Sequence, residues 1–567
     1  MPSTYDFIIV GGGTAGCLLA HKLSRTASKP SILLLEAGSN PDGEYLRAPS
    51  HRYSALMLRP DLDHGYVSEP EAGLDGRQVA YARGKGLGGS SILNFGVFLY
   101  GSDEDYNRWA ELAGGDEDWN WDAAKKAYHA MENYDFAGSA QYKHLADPST
   151  SEHGTSGSLK IGLPPVLEVG VVPQMEALIE AGEKINLDPN SGDPIGISVF
   201  PFSYSKEGRT TSAIAHLLDA PGNLEVWTGA KVERLVFSGE RVVGVVTEDG
   251  REASSTKEVI LTAGTIDTPK LLLLNGIGPK PDLEALSIPV KKHLPGVGQN
   301  LSDHILSFMS VEVSGTTNER YSFESSPSLQ ATASDLWAKD NSGSFALHNS
   351  TLYGGFHKLP SLHSTPEFSA LPGNLKEWLK RPTVPDYEFI SNALLWPPGT
   401  QLTPGNSYMT FIAFLMNPQS RGSVTLRSNK ASDKPVINLN FLTHPYDVVA
   451  FREAIRATWT KIIENPGIKP HVRKTLLGPE SLSDEDVDKF ARETAGTVWH
   501  ANGTVRMGRE EAGGCVDSAG KVYGIQGLRV ADLSVCPVTT NNHTQSTAYF
   551  VGSVVGGKVV REWGLDG

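Results

Sequence analysis

Residues 5–36 read YDFIIVGGGTAGCLLAHKLSRTASKPSILLLE. Phe7, Ile8, Ile9 and Val10 form a short, β-branched apolar run suited to a strand buried on both faces. Three glycines follow, and beyond them Ala15, Leu18, Leu19 and Leu23 fall on one helical face. A second apolar run from Ile32 to Leu35 ends on Glu36, so the stretch predicts a β-α-β unit. Gly11 permits the tight turn out of the strand. Gly13 allows a pyrophosphate to approach the backbone, and Gly16 lets the helix pack close on the sheet. The helix start directs unpaired N–H groups and its positive dipole end at the phosphates. Glu36 stands about 20 residues past Gly16, where a carboxylate takes the hydroxyls of a ribose. The glycines alone are a weak signal, and a glycine-rich turn without ligand is the competing reading. With the strand, the helix and the acid in place they predict a dinucleotide site, without choosing between nicotinamide and flavin.

Outward from this unit, 567 residues exceed what one core holds, so two interleaved domains are expected. A 39% apolar and 20% charged composition is that of a soluble globule. The net charge of −15 argues against nucleic acid or an anionic membrane as partner. Cys17, Cys515 and Cys536 show neither disulfide nor metal spacing, and Cys17 reads as a small buried hydrophobe within the first helix. The first strand follows MPST directly, and no apolar run approaches the length of a membrane span. The expectation is a cytoplasmic chain without signal peptide.

Along the chain, Trp109 to Tyr134 predicts helices on the outside of the first domain, and Ser139 to Gly157 a polar loop or linker. Leu163 to Ile185 reads as an amphipathic helix. Leu224–Thr228, Val232–Phe237, Val242–Thr247 and a strand ending Val259-Ile260-Leu261 predict a meander, with Asp249-Gly250 as a hairpin turn. A helix is then expected with Thr268 as N-cap, Pro269 at its first position and Gly276 as its stop. Val311 to Tyr387 lacks sustained periodicity and reads as a lid, an irregular wall or a surface insertion. Asn406–Asn417 and Gly422–Leu426 predict strands of another sheet, a helix begins near Asp447, and another closes the chain after Thr544-Gln545. The fold class is α/β: a Rossmann-like dinucleotide domain (1–160, 210–312, 488–567) interleaved with a substrate domain (161–209, 313–487) built on an antiparallel sheet covered by helices.

Four ordered blocks resemble the glucose–methanol–choline (GMC) flavoprotein oxidoreductases, in particular their aryl-alcohol-oxidase branch. They are the opening unit, Gly84 to Asn94 running on to Gly101, Gly264 to Gly278, and Trp499 to Thr504 with Val530-Ala531-Asp532 and Asn542-His543-Thr544-Gln545. The third departs from the family pattern at Asn275, where Ser is usual, a polar exchange beside a glycine turn. The resemblance implies FAD. It implies Gly11, Gly13, Thr14, Ala15, Gly16, Glu36 and Ala37 around the ADP half, Val232 near adenine, and Asn94, Phe95, Gly96 and Val97 along the isoalloxazine and ribityl. Gly88, Ser91, Ala263, Trp499, Asp532, Thr544 and Gln545 complete the implied cradle. Relatives that tether the flavin place a histidine where Leu93 stands, so non-covalent FAD is expected.

Oxidising a C–H beside an O–H needs a hydride acceptor and a base for the hydroxyl proton, and imidazole, with a pKa near ~6.5, passes protons both ways. Among sixteen histidines, His500 and His543 occupy the positions of the family's catalytic pair. His500 is expected as the base and His543 as the hydrogen-bonding partner of the substrate oxygen; other histidines, His304 included, read as structural. A formate-oxidising relative carries Arg at the second position, so His543 argues against a carboxylate substrate. Phe95 and Phe98 lean towards an aromatic or apolar alcohol. No metal site is expected, and the electron acceptor is O2 or another oxidant. The alternatives are a cyanohydrin (hydroxynitrile) lyase on the same fold, a flavin-dependent photodecarboxylase, and a non-catalytic flavin-binding protein; retention of both histidines argues against the last.

Overall fold

A computed structural model describes all residues except 1–2, 42, 53–54, 150, 315–321, 324, 348–351, 394–396, 398–399, 401–402, 404–405 and 567. The opening unit folds as its residues require. Strand β1 (Ser3–Val10) leads through Gly11, at φ +112°, into helix α1 (Thr14–Ser24) and then β2 (Ile32–Leu35). Helices α2 (Asp103–Leu112) and α3 (Trp121–Met131) come next. Both have two faces: Glu111, Asp122 and Lys126 are exposed, while Trp109 and Tyr128, with Trp119 between the helices, are fully buried against Phe550 near the end of the chain. The helix expected over Leu163 to Ile185 is shorter, α4 (Val171–Glu180), with Leu159–Gly162 taken by a strand.

Strands β3 (Leu224–Trp227), β4 (Val232–Ser238), β5 (Arg241–Thr247) and β6 (Glu252–Leu261) form the expected meander. Among the described residues the first sheet runs β3-β2-β1-β6-β5-β4. Its parallel half places Trp227, Leu35, Val10 and Leu261 side by side at one carboxyl edge.

Helix α5 (Gly264–Leu274) starts earlier than expected. Thr268 is no cap: its hydroxyl donates to Asp532, and Pro269 lies inside the helix. Proline cannot supply the N–H that the Thr265 carbonyl would accept four residues back. Thr504 Oγ1 donates to that carbonyl instead, at 2.7 Å. Asn275 bridges the helix end to β4, accepting from Leu235 N and donating to Leu271 O, both at 2.8 Å.

The second sheet is antiparallel. It comprises β7 (Ile305–Val313), β8 (Tyr353–His357), β9 (Tyr387–Ser391), β10 (Ser407–Leu415) and β11 (Val472–Leu477), in the order β8-β9-β10-β7-β11, with β12 (Gly496–Thr497) also on β7. Residues Ile305 to Val313 all pair with β10, so this strand belongs along its whole length to the second sheet. The stretch Val311 to Tyr387, read as irregular, holds strand β8, helix α6 (Pro327–Asp340) and shorter helices over Pro366–Ser369 and Gly373–Leu379; its residues 315–321, 324 and 348–351 lie outside the described residues. Helix α7 (Pro445–Ile463) covers this sheet with Phe451, Ile455 and Ile462 buried, as its spacing predicts. Then β13 (Leu528–Val530) adds to β6, and α8 (Gln545–Trp563) packs on α1 closely enough that a Cβ on Gly552 would lie 2.8 Å from the Ala15 carbonyl oxygen.

The polar stretch Ser139 to Gly157 is tied down by a buried charge. His153 Nδ1 lies 3.1 Å from Glu132, and Nε2 lies 3.2 Å from Asp188. Burial alone would lower the pKa of this imidazole, but its hydrogen bonds to Asp188 and Glu132, and their charges, raise it to about 9. A raised folded-state value stabilises fully below about pH 6.5, and the contribution is lost as pH climbs through about 9. His153→Gln is therefore expected to lower Tm near pH 6.5, by a stability loss of order 3 kcal/mol, and to cost much less near pH 10. A Tm difference that stays constant across that range would show that the clamp is not ionic.

Candidate active site

A cleft of about 1180 Å³, mouth included, opens at the carboxyl edge of the first sheet. Gly11, Gly13, Thr14, Ala15, Glu36, Ala37, Val232, Ala263 and Asp532, all named from the sequence, line it. The first turn of α1 carries no acidic residue and no side-chain cap, so its N–H groups remain available to an anion. A Cβ on Gly13 would meet nothing closer than 3.8 Å, and it would occupy space in the cleft. Gly16 instead faces inward, where a Cβ would sit 2.0 Å from the Gly11 carbonyl oxygen. Glu36 Oε2 accepts from Gly12 N at 2.9 Å and Oε1 from Gly38 N at 2.7 Å. Burial pushes this carboxyl upward in pKa, against those amide bonds. Asp532 is fixed by Gly264 N, Thr268 Oγ1 and Ser534 N, and burial raises it too.

The remaining expected cofactor residues lie outside the lining of this cleft. Gly88 N donates to Gly12 O at 2.7 Å, and Ser91 Oγ donates to Gly88 O at 2.6 Å, so both shape the loop that abuts Gly13. Asn94 Nδ2 donates to Gln545 Oε1, and Asn94 Oδ1 accepts from Gly96 N and from Arg209. Gln545 Nε2 is buried with no protein partner, a donor awaiting an acceptor. Thr544 is the N-cap of α8, whose first turn has no acid. Val97 packs with Phe202 and Leu99, and Leu93 with Leu46, Ala55 and Leu62. Phe95 meets Trp499 edge-on at 5.9 Å. Phe98 is a correction: it is fully buried among Tyr100, Tyr128 and Tyr549 in the first core, because it alternates inward from Val97, and no substrate reaches it there.

His500 and His543 converge. Their ring centroids lie 5.1 Å apart with planes at 80°. His500 follows Trp499, a bulky residue at φ +59°, a strained conformation that its surroundings over-determine. Thr497 Oγ1 accepts from Trp499 N at 2.7 Å, Arg83 donates to the Trp499 carbonyl at 2.6 Å, and Asp303 Oδ1 accepts from His500 N at 2.8 Å. Asp303 also accepts from Tyr81 and Thr497, and burial raises it to about 6. The turn before His543 is held likewise: Asp105, raised to about 7 by burial, accepts from both Asn541 N and Asn541 Nδ2 at 2.6 Å.

Two further side chains, one just before the second sheet and one in it, touch the imidazoles. His304 Nδ1 lies 2.9 Å from His500 Nδ1, so His304, read from the sequence as structural, leads into β7 and abuts His500. Glu388 on β9 places Oε1 2.9 Å from His543 Nε2 while 1% exposed. Phe200 and Phe414 flank the His543 ring at 6.3 and 6.1 Å. A lone acid inside the apolar run Tyr387-Glu388-Phe389-Ile390 was the signal that would have found it. Burial, then His543, His304 and Arg83, hold His500 well below its ordinary pKa; burial and His543 push His304 down to about 3. Among the described residues no helix is long and apolar enough to cross a membrane.

Comparison with known proteins bears on this arrangement. The family models described as GMC oxidoreductase match residues 5–306 and 418–552. An oxygen-dependent choline dehydrogenase of Pseudomonas putida is 31% identical, covering 99% of this chain and 94% of its own. A formate oxidase variant from Aspergillus oryzae, studied for FAD modification, superimposes with a TM-score of 0.89 at 27% identity, over 100% of this chain and 99% of that one. A fungal aryl-alcohol oxidase shares the fold, with a TM-score of 0.87 at 24% identity over 99% and 100% of the two chains.

Proposed function

Because the chain belongs to the GMC oxidoreductase family, FAD-dependent enzymes acting on CH–OH donors, we propose that it oxidises a small primary alcohol to an aldehyde at the paired imidazoles. The meeting of His500 and His543, from loops held by Asp303 and Asp105, is the observation that carries this reading. The open Gly13 face, the uncapped α1 N-terminus and the unpaired Gln545 Nε2 fit FAD. When bound, the flavin supplies the acceptor for the hydride that leaves the alcohol carbon.

The two imidazoles divide the remaining work by environment. His500 Nδ1 is engaged by His304, which leaves Nε2 to take the hydroxyl proton. A pKa far below ~6.5 keeps that nitrogen unprotonated through the physiological range. His543 gives its Nε2–H to Glu388 and turns Nδ1 to the substrate oxygen. An Nδ1–H aimed at that oxygen, with Glu388 holding the opposite side of the ring, would make His543 a positioned donor. Buried donors of this kind stabilise developing alkoxide charge more than water does. Phe200 and Phe414, which flank His543, favour an apolar or aromatic alcohol, and electrons pass on to O2 or another acceptor.

The test is anaerobic mixing of the holoenzyme with choline, benzyl alcohols, short alkanols and pyridyl methanols, following loss of the 450-nm-region flavin absorbance (roughly the oxidised flavin band). At least one class bleaches the flavin, and readmitting oxygen separates an oxidase from a dehydrogenase. A flavin unchanged by every alcohol, with cyanide released from a cyanohydrin, would replace this reading by the lyase.

A further inference from the structure

The proton between His500 and His304 has two possible owners, and only one leaves a base facing the substrate. Two neutral imidazoles whose Nδ1 atoms lie 2.9 Å apart share one N–H. If His304 owned it, His500 would carry its own hydrogen on Nε2 and present a donor to the alcohol. If His500 owns it, His500 Nε2 is a bare lone pair.

We propose that His304 is a positioning residue that fixes the tautomer of His500, accepting the His500 Nδ1–H so that Nε2 is the base. The proposal rests on the reading of His500 as base. A base at His500 Nε2 must keep its ring hydrogen on Nδ1, and His304 Nδ1, at 2.9 Å, is the acceptor in reach of it. His304 then carries its own hydrogen on Nε2, which is buried and engages no other described group.

The surroundings keep His304 in that neutral form. It is 1% exposed, and burial together with His543 opposes its protonation. The groups facing His500 are His304, His543, the Arg83 guanidinium, and the Asp303 carboxylate that accepts its main-chain N–H. None of the others supplies an acceptor to its Nδ1. When the alcohol proton reaches Nε2, the Nδ1–H becomes a charge-assisted donor to His304, the one side-chain acceptor recorded for that nitrogen among the described residues. Asp303 and His304 are consecutive, so one dipeptide fixes both the main chain and the ring of His500.

The experiment compares His304→Gln, whose side-chain carbonyl can accept the same hydrogen, with His304→Phe and His304→Leu, which cannot. Each is purified as holoenzyme and mixed anaerobically with the alcohol that reduces the wild type fastest; His500→Ala is run in parallel. The Phe and Leu variants are expected to lose about 10²-fold in the limiting reduction rate, with flavin content and apparent substrate Kd unchanged. The Gln variant recovers to within about fivefold of wild type. Equal slowing of all three would overturn the proposal, since that is loss of packing and not of an acceptor. So would wild-type rates in Phe or Leu while His500→Ala is inactive, which leaves His500 as base without need of His304. Wild-type rates in His500→Ala itself would instead remove the base assignment, and the role of His304 with it. If Phe does not retain flavin, the Leu–Gln comparison decides.

Discussion

His500→Ala is expected to slow anaerobic flavin reduction by about 10²–10⁴-fold while the purified protein stays yellow. The size follows from what is removed. Hydride cannot leave the alcohol carbon unless its hydroxyl proton has somewhere to go, and His500 Nε2 is the proposed acceptor, beside a His543 ring flanked by Phe200 and Phe414. The chromophore should remain because His500 does not line the dinucleotide cleft. Its loop is held by main-chain bonds to Asp303, Thr497 and Arg83 that an alanine retains. Wild-type reduction should also be flat from about pH 6 upward: a base whose pKa lies well below 6.5 is already unprotonated there, so its acid limb falls at lower pH. Loss of the flavin from the variant, or reduction at the wild-type rate, would sink the assignment. An acid limb centred at ordinary histidine values would show that the burial of His500 is not what sets its basicity.

What was legible in the sequence, and what was not, divides along a physical line. The β1-α1-β2 unit, the meander ending at Leu261, the helix near Asp447 and the closing helix all announce themselves through local constraints: glycine turns, apolar periods, an Asp-Gly hairpin. His500 and His543 were found only through their resemblance to a family pattern, since they converge across the fold from separate loops. His304 and Glu388 escaped notice because their importance lies wholly in tertiary contacts. His304 follows a turn that explains it well enough by itself, and Glu388 sits in a strand buried on both faces, with no alternation to mark it. Phe98 failed in the opposite sense, since an aromatic near a ligand loop has the same composition whether it faces the ligand or the core. The start of α5 was misplaced because Thr268-Pro269 imitates an N-terminus. Only the distant Thr504 hydroxyl, which satisfies the carbonyl that the proline strands, makes the proline tolerable inside the helix.

Gly16→Ala should yield a chain that purifies without flavin, the largest effect expected of any single methyl group here. A Cβ at that position would lie 2.0 Å from the Gly11 carbonyl oxygen and 2.6 Å from Thr262 Oγ1, the former against backbone that has no rotamer to escape by. Thr262 Oγ1 already donates to the Gly11 carbonyl at 2.7 Å and so ties the end of β1 to the end of β6. Relief therefore requires α1 to rise off the sheet or this tie to break. Either movement displaces Gly13, Thr14 and Ala15, the residues whose main chain would hold the pyrophosphate. It also disturbs the contact of α1 with α8, where Gly552 admits the Ala15 carbonyl, and so reaches the helix that begins at Gln545. Gly13→Ala is the control: its Cβ meets no protein atom within 3.8 Å, so the apoprotein should fold with nearly wild-type stability and lose FAD affinity alone. The flavin-to-protein absorbance ratio and the Tm of the two variants separate these effects. Should Gly16→Ala retain stoichiometric flavin, the tight packing of helix on strand would not be what builds the cradle, and the reading that began with the three glycines would have to be abandoned.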